Sequence, residues 1–309
     1  MNKFSLLTCV ASLPLILASC NNGDDFKYTN TVNIPSYNLI TSSSGTEEPF
    51  VGTATYGITV EYPIGTIVLN TSNLQLPKGV TGNFTTVPMN LVAKDFVIDG
   101  EQKESIYFTS PDPTNKGTAI TNLNAYVTQA VYWPVALPDG SQVPGYTWTV
   151  PTQTQHFAFM QYNYGSDYYV RSFWPDLNYR GQTITTYPGA DTPYTTDGIQ
   201  YRVVMQRKDG ALTGKADMIF YNAKFSPMTP DLCVVVKDLD VEFTNDGYTL
   251  STTDNVPYMV EAGELQPVDR FTFNDIKASV SGDLTGISIN YTVASVFKGT
   301  FSGSCMVKQ

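Results

Sequence analysis

Past residue 25 the hydrophobic pattern of this chain is that of strands. Short runs rich in Val, Ile, Thr, Tyr and Phe are separated by Gly, Pro, Asn and Asp, and helical three-four spacing of apolar residues is almost absent. Asp-Gly pairs mark where hairpins turn. Asp99-Gly100 separates Leu91–Ile98 from Glu104–Thr109, Asp209-Gly210 separates Ile199–Arg207 from Leu212–Tyr221, and Asp246-Gly247 follows Leu232–Phe243. Asp and Gly tolerate the positive φ that tight hairpin turns require, so these pairs carry a mechanism as well as a composition. In His156–Tyr162 and again in Tyr168–Trp174 both alternating sets of positions are largely apolar, which predicts central strands covered on both faces. The pattern predicts an all-β protein.

A faint internal repeat bears on how many units there are. Gly52-Thr53-Ala54 and the strand behind it are echoed by Gly214-Lys215-Ala216, Thr66–Leu69 by Leu232–Val236, and Ile120–Ala125 by Phe273–Ala278. Tyr179-Arg180-Gly181-Gln182-Thr183 is echoed by Phe297-Lys298-Gly299-Thr300. The order is kept, so the expectation is two tandem antiparallel domains, each a β-sandwich or barrel-like: residues 27–190, with long aromatic-rich loops, and residues 197–309. The Pro- and Thr-rich stretch Tyr187–Asp197 would join them.

The first 19 residues read differently. Lys3 heads an apolar stretch from Leu6 to Leu17, closed by Ala18-Ser19 and Cys20. A basic start, a short apolar core and small residues before a cut make a secretory signal, too short to span a bilayer. A cysteine directly after Leu17-Ala18-Ser19 resembles a bacterial lipobox, which implies that residues 1–19 are removed and Cys20 is acylated. Residues 20–26 then form a polar, lipid-attached tether. The acidic pair Asp24-Asp25 behind the cysteine is similar to that of Bacteroidota surface lipoproteins. That resemblance implies an outer-membrane protein, lipid-anchored and facing the cell exterior. It covers the first 25 residues only.

The formal charge of −10 repels phosphate backbones and excludes nucleic acid as a natural partner. Of four cysteines, Cys9 leaves with the signal and Cys20 takes lipid. Cys233 and Cys305 remain, and in an exported chain a disulfide between them is open. The sole histidine, His156, lies in an apolar strand and reads as a core residue; no multi-histidine metal site can be built from it. There is no nucleophile elbow, phosphate loop or CxxC context, so no catalytic residue, metal or cofactor is assigned. Asp238, Asp240 and Glu242 fall on one strand face, which reads as solvated, with a calcium site as the sharper alternative.

Aromatic residues concentrate instead: 16 of them, including all three tryptophans, fall in residues 132–201. Trp133 and Trp148 flank Pro134–Gly145, which reads as a long exposed loop stiffened by prolines, and Trp174 precedes Pro175-Asp176. Rings on rigid loops stack on sugars or anchor protein partners; folded back, they cap a core. Trp133, Trp148 and Trp174 are therefore the ligand-binding candidates. The expected function is a non-catalytic cell-envelope lipoprotein acting in binding or adhesion at the bacterial surface. Its partners would be the membrane, through acyl chains on Cys20, and a surface glycan or another envelope protein. The alternatives are a glycan-binding accessory protein of a polysaccharide-uptake system, an assembly subunit exchanging a strand near Thr29–Thr41, a lipocalin-like cavity, and, last, a glycoside hydrolase.

Overall fold

The structure, a computed structural model, describes residues 28–62, 66–90, 92–98, 101–109, 119–130, 143–146 and 155–308. About two thirds are strand, none is α-helix, and no helix among them is long and apolar enough to cross a membrane. The residues of the leader, the lipobox and the tether, Cys20 included, lie outside the described residues, as do Trp133 and Trp148.

The first half of the chain supplies β1 (Tyr28–Ser42), β2 (Phe50–Tyr62), β3 (Thr66–Ser72), β4 (Met89–Asn90), β5 (Val92–Ile98), β6 (Glu101–Thr109), β7 (Ile120–Ala130), β8 (Gln155–Tyr164) and β9 (Tyr168–Phe173). With β20 (Met306–Lys308) they form one antiparallel sheet of ten strands, in the order β20-β5-β6-β7-β8-β9-β1-β2-β3-β4, curved into a half-barrel. Its inner face buries Ile34, Ile40, Tyr56, Leu69, Met160 and Tyr162. The connection between β3 and β4 folds over that face and adds Leu74, Leu76 and Phe84. Backbone bonds from Thr71 N to Phe84 O (2.9 Å) and from Thr86 N to Leu69 O (2.8 Å) hold it there, so its buried polar groups stay paired.

The second half supplies β10 (Asp176–Thr186), β11 (Tyr194–Lys208), β12 (Ala211–Ala223), β13 (Leu232–Thr244), β14 (Gly247–Asn255), β15 (Tyr258–Glu261), β16 (Glu264–Pro267), β17 (Phe273–Val280), β18 (Gly286–Val293) and β19 (Phe297–Ser304). Eight of these run β12-β11-β10-β19-β18-β17-β14-β13, and a further β12–β13 pairing closes the ring. The result is a closed eight-stranded barrel, with β15 and β16 as an outlying hairpin. Eight strands enclose just enough room for side chains, and here the room is taken by rings. Tyr201 lies 4.3 Å from Phe301 and 4.4 Å from Phe220, centroid to centroid, and Phe220 lies 4.9 Å from Phe273. Each such pair contributes about 0.5–1.5 kcal/mol beyond the area it buries. Gly299 lets Tyr291 of the neighbouring strand lay its ring on the backbone; a Cβ there would stand 2.2 Å from it.

The turn chemistry follows the sequence. Asp209 and Gly210, between β11 and β12, both take positive φ (53° and 82°). The tandem arrangement fits loosely. The sheet changes at Trp174-Pro175, upstream of Tyr187–Asp197, which instead connects β10 to β11 and begins the latter. A hairpin connection and a linker share the same Pro- and Thr-rich composition, so local sequence does not separate them. The echoing segments around Gly181 and Gly299 lie on paired strands of one barrel, β10 and β19. The chain also crosses back at its end, where β20 pairs with β5.

The half-barrel rests on the barrel through β9. Phe173 sits 5.8 Å from Phe243 and 6.3 Å from Tyr248. Arg171, buried, donates from Nη1 to Gly282 O and from Nη2 to Asn245 O, both at 2.7 Å. Alternate residues of β9 therefore face two different cores, which is why its sequence lacks a polar face. The run Leu232–Val236 has the same explanation. Val234 and Val236 point into the barrel, while Val235 lies outside beneath Val143 and the β15–β16 hairpin. The strand expected to be extractable, β1, pairs with β2 along most of its length and with β9 over Tyr37–Ser42.

Neither of the two described cysteines is in a disulfide: Cys305 is buried, and burial pushes the Cys233 thiol up to about 12. A thiol raised in this way stays protonated and loses its nucleophilic form at ordinary pH. Both are expected to resist Ellman's reagent at pH 8 in the native protein and to react together on unfolding in urea. Rapid reaction of either before unfolding would contradict this packing.

Candidate functional site

The one tryptophan candidate among the described residues, Trp174, stands where the chain leaves the half-barrel. Pro175 lacks an N–H and cannot continue the β9 ladder, so β9 stops at Phe173. Below that point, among the described residues, the Tyr28–Ser36 part of β1 keeps only β2 as a ladder partner. The unshared edge opens beside the β11–β12 hairpin as a cleft of about 360 Å³, with Trp174, Tyr37, Thr53, Asn73 and Arg207 among its walls. Tyr37 OH donates to Gly210 O at 2.7 Å and Met205 N to Pro175 O at 2.7 Å, which ties both halves of the molecule to the cleft. Trp174 is half-buried and its body packs against the barrel core, so the ring both caps that core and lines the cleft.

A second concavity, about 500 Å³, shares Arg207 with the first, with Tyr146, Gln206, Asp217, Lys237 and Leu265 among its other walls. Two β-bulges shape it. One shifts the β11–β12 register between Met205 and Arg207, and the other shifts β12–β13 between Ala216 and Met218, where Asp238 takes φ 61°. Bulges re-aim side chains, and these two turn Gln206 and Asp238 toward each other. Gln206 Nε2 donates to Asp217 Oδ1 (2.9 Å) and Asp238 Oδ1 (2.8 Å). Asp217 also accepts from the Asp238 backbone N–H (3.0 Å) and from Tyr146 OH (2.7 Å). Burial, and then the bond to Asp217, raise the Tyr146 hydroxyl well above the usual phenol range, so it remains a neutral donor. Lys237 Nζ lies 4.3 Å over the Tyr258 ring.

Several expectations meet their outcome here. Pro134–Gly145 reads as a long exposed loop; only its last three residues are described, and of these Val143 is buried. The reason is that Ile219, Tyr221 and Val235 make the outside of the barrel apolar, and Val143 covers them. Asp238, Asp240 and Glu242 are exposed, as a solvated face requires, and they do not converge. Asp238 is turned to Gln206, and Asp240 pairs with Lys215. Among the described residues no group of three His, Cys, Asp or Glu is placed to hold a metal ion. His156 lies on β8, a central strand, with its side chain outside what is described. The Tyr146–Asp217–Gln206–Asp238 network was missed in the sequence because its members come from three strands and a distant loop. Only Asp238 had drawn notice, and for a different partner set.

Chemically, the two concavities offer ring faces together with a dense mixture of neutral donors, acceptors and balanced charges. In comparisons with known proteins, the chain matches no family model, no curated protein and no solved structure.

Proposed function

We propose that this chain is a non-catalytic cell-envelope lipoprotein that acts by binding, held at the outer membrane by acyl chains on Cys20 and engaging surface glycan through the Trp174 cleft. The observation that carries the reading is the filled barrel. With Tyr201, Phe220, Phe273 and Phe301 stacked at its centre, ligand contact falls to the outer surface, where Trp174 and Tyr37 line an open cleft. An aromatic wall beside hydroxyl and amide groups suits a sugar, whose axial C–H face is apolar and whose rim is polar. The lipobox supports the anchoring, and several acyl chains make such anchoring stable.

The test is a glycan array probed with the mature protein in detergent. Trp174→Ala is expected to weaken binding about tenfold or more, since buried aromatic anchors dominate such contacts. Removing a half-buried ring will also cost some stability, so the melting temperature is read alongside; a variant still folded at assay temperature yet unable to bind supports the reading. An array on which the wild-type protein binds nothing would overturn it and leave adhesion to another envelope protein as the better account.

A further inference from the structure

We infer that the two concavities that share Arg207 are consecutive subsites of one groove, built for a linear, uncharged saccharide chain rather than a single sugar. The inference rests on the glycan reading above and adds the ligand's length and charge. Arg207 is exposed, lines both concavities, and has no ion-pair partner among the described residues. Its guanidinium offers five donors in a rigid fork, enough to serve hydroxyls of two successive sugar units. Each concavity has one aromatic wall and its own polar rim: Trp174 with Thr53 and Asn73 on one side, Tyr146 with Gln206 and Asp217 on the other. Each volume lies within the ~300–1,000 Å³ usual for small-ligand sites, so each is suited to about one or two sugar units.

Charge decides the class of saccharide. Arg207, Lys237 and Asp217 line the groove and Asp238 stands directly behind Gln206, two charges of each sign, so there is no net local charge to attract a uronate or a sulfate. The chain as a whole, at −10, repels an acidic polymer. The carboxylates are also fixed in place. Asp217 already accepts three hydrogen bonds, and Gln206 bridges it to Asp238, so the polar rim is rigid before ligand arrives. Preorganised acceptors lower the ordering cost of binding.

The test is isothermal titration of the mature protein with an oligosaccharide series of increasing length, taken from whichever neutral glycan binds on the array. Affinity is expected to rise at least tenfold between the disaccharide and the tetra- or pentasaccharide and then level off. Tyr146→Ala should remove that gain while leaving the disaccharide bound, whereas Trp174→Ala should weaken both. Because Tyr146 supports Asp217, the variant Lys237→Ala, at a half-buried rim residue outside that network, is measured beside it and is expected to lower only the long-chain affinity, by about threefold or more. Affinity independent of length, or Tyr146 and Lys237 variants that bind long chains as the wild type does, would overturn the two-subsite groove while leaving the Trp174 site standing. Tighter binding of a uronate-containing chain than of its neutral counterpart would overturn the charge assignment. A series in which not even the disaccharide binds would remove both.

Discussion

Asp176→Ala is expected to destabilise the protein by about 3–5 kcal/mol, against a typical total of about 5–15 kcal/mol for a globular protein. Asp176 opens β10 and Arg202 lies diagonally across on β11; their side chains are 7% and 3% exposed. Arg202 donates from Nε to Oδ1 and from Nη2 to Oδ2, both at 2.6 Å, a bidentate fork with nearly all water removed. Burial works against the Arg202 charge, but the Asp176 bond and charge outweigh it and hold the guanidinium above its ordinary value. Taking away the carboxylate leaves that cation buried without its opposite charge, Tyr221 remaining as a neutral hydrogen-bond partner, and most of the desolvation cost is then felt. The double variant Asp176→Leu/Arg202→Met is expected to recover most of the loss, because an apolar pair of similar size carries no desolvation cost. Urea midpoints for the two single variants and the double variant test this. Single variants that each lose less than about 1 kcal/mol would mean that the pair behaves like an exposed one.

The second large effect is on alkaline stability. Tyr56, Tyr162, Tyr201, Tyr248 and Tyr291 are raised above the usual phenol value, in each case chiefly by burial. Their hydroxyls are paired inside. Tyr201 shares bonds with Tyr291 (3.1 Å) and Thr183 (3.3 Å), Tyr179 with Tyr248 (3.2 Å), and Tyr56 with Tyr162 (2.9 Å). A raised pKa on an acid means that the folded state holds the proton more firmly than the unfolded one. Its stabilising contribution is complete below the unfolded phenol value of about 10 and is lost as pH climbs above it. Absorbance at 295 nm should therefore resolve two classes among the 20 tyrosines: some ionising near the usual pH, and the buried set ionising together with loss of near-ultraviolet circular dichroism. A single titration phase near pH 10 with the dichroism intact would rule out the packed barrel interior described above.

The sequence carried the strand character almost whole, because period-two alternation and Asp-Gly turns are local properties. Asp209-Gly210 takes the backbone angles that its residues invite. The interior of the barrel was legible only as an excess of large aromatics. That Tyr201, Phe220 and Phe301 meet at one centre depends on the pairing of β10 with β19, which joins Arg180 to Ser304 across a stretch that no window of sequence contains. The candidate site was legible to the extent of one residue, Trp174. Its companions Tyr37, Asn73 and Arg207 come from strands and loops far apart in the chain and are assembled where Pro175 ends β9.

What the sequence determined by itself was therefore the class of structure, an all-β chain whose strands and turns follow from the backbone preferences of adjacent residues. What only the tertiary structure decided was closure: which strands complete a ring, where a ring fills with side chains, and where a half-barrel leaves a cleft beside it. The reason is that alternation states which face of a strand is apolar but not which face it meets. The partnerships that decide closure, β10 with β19 in the barrel and β1 with β9 in the half-barrel, join segments more than a hundred residues apart.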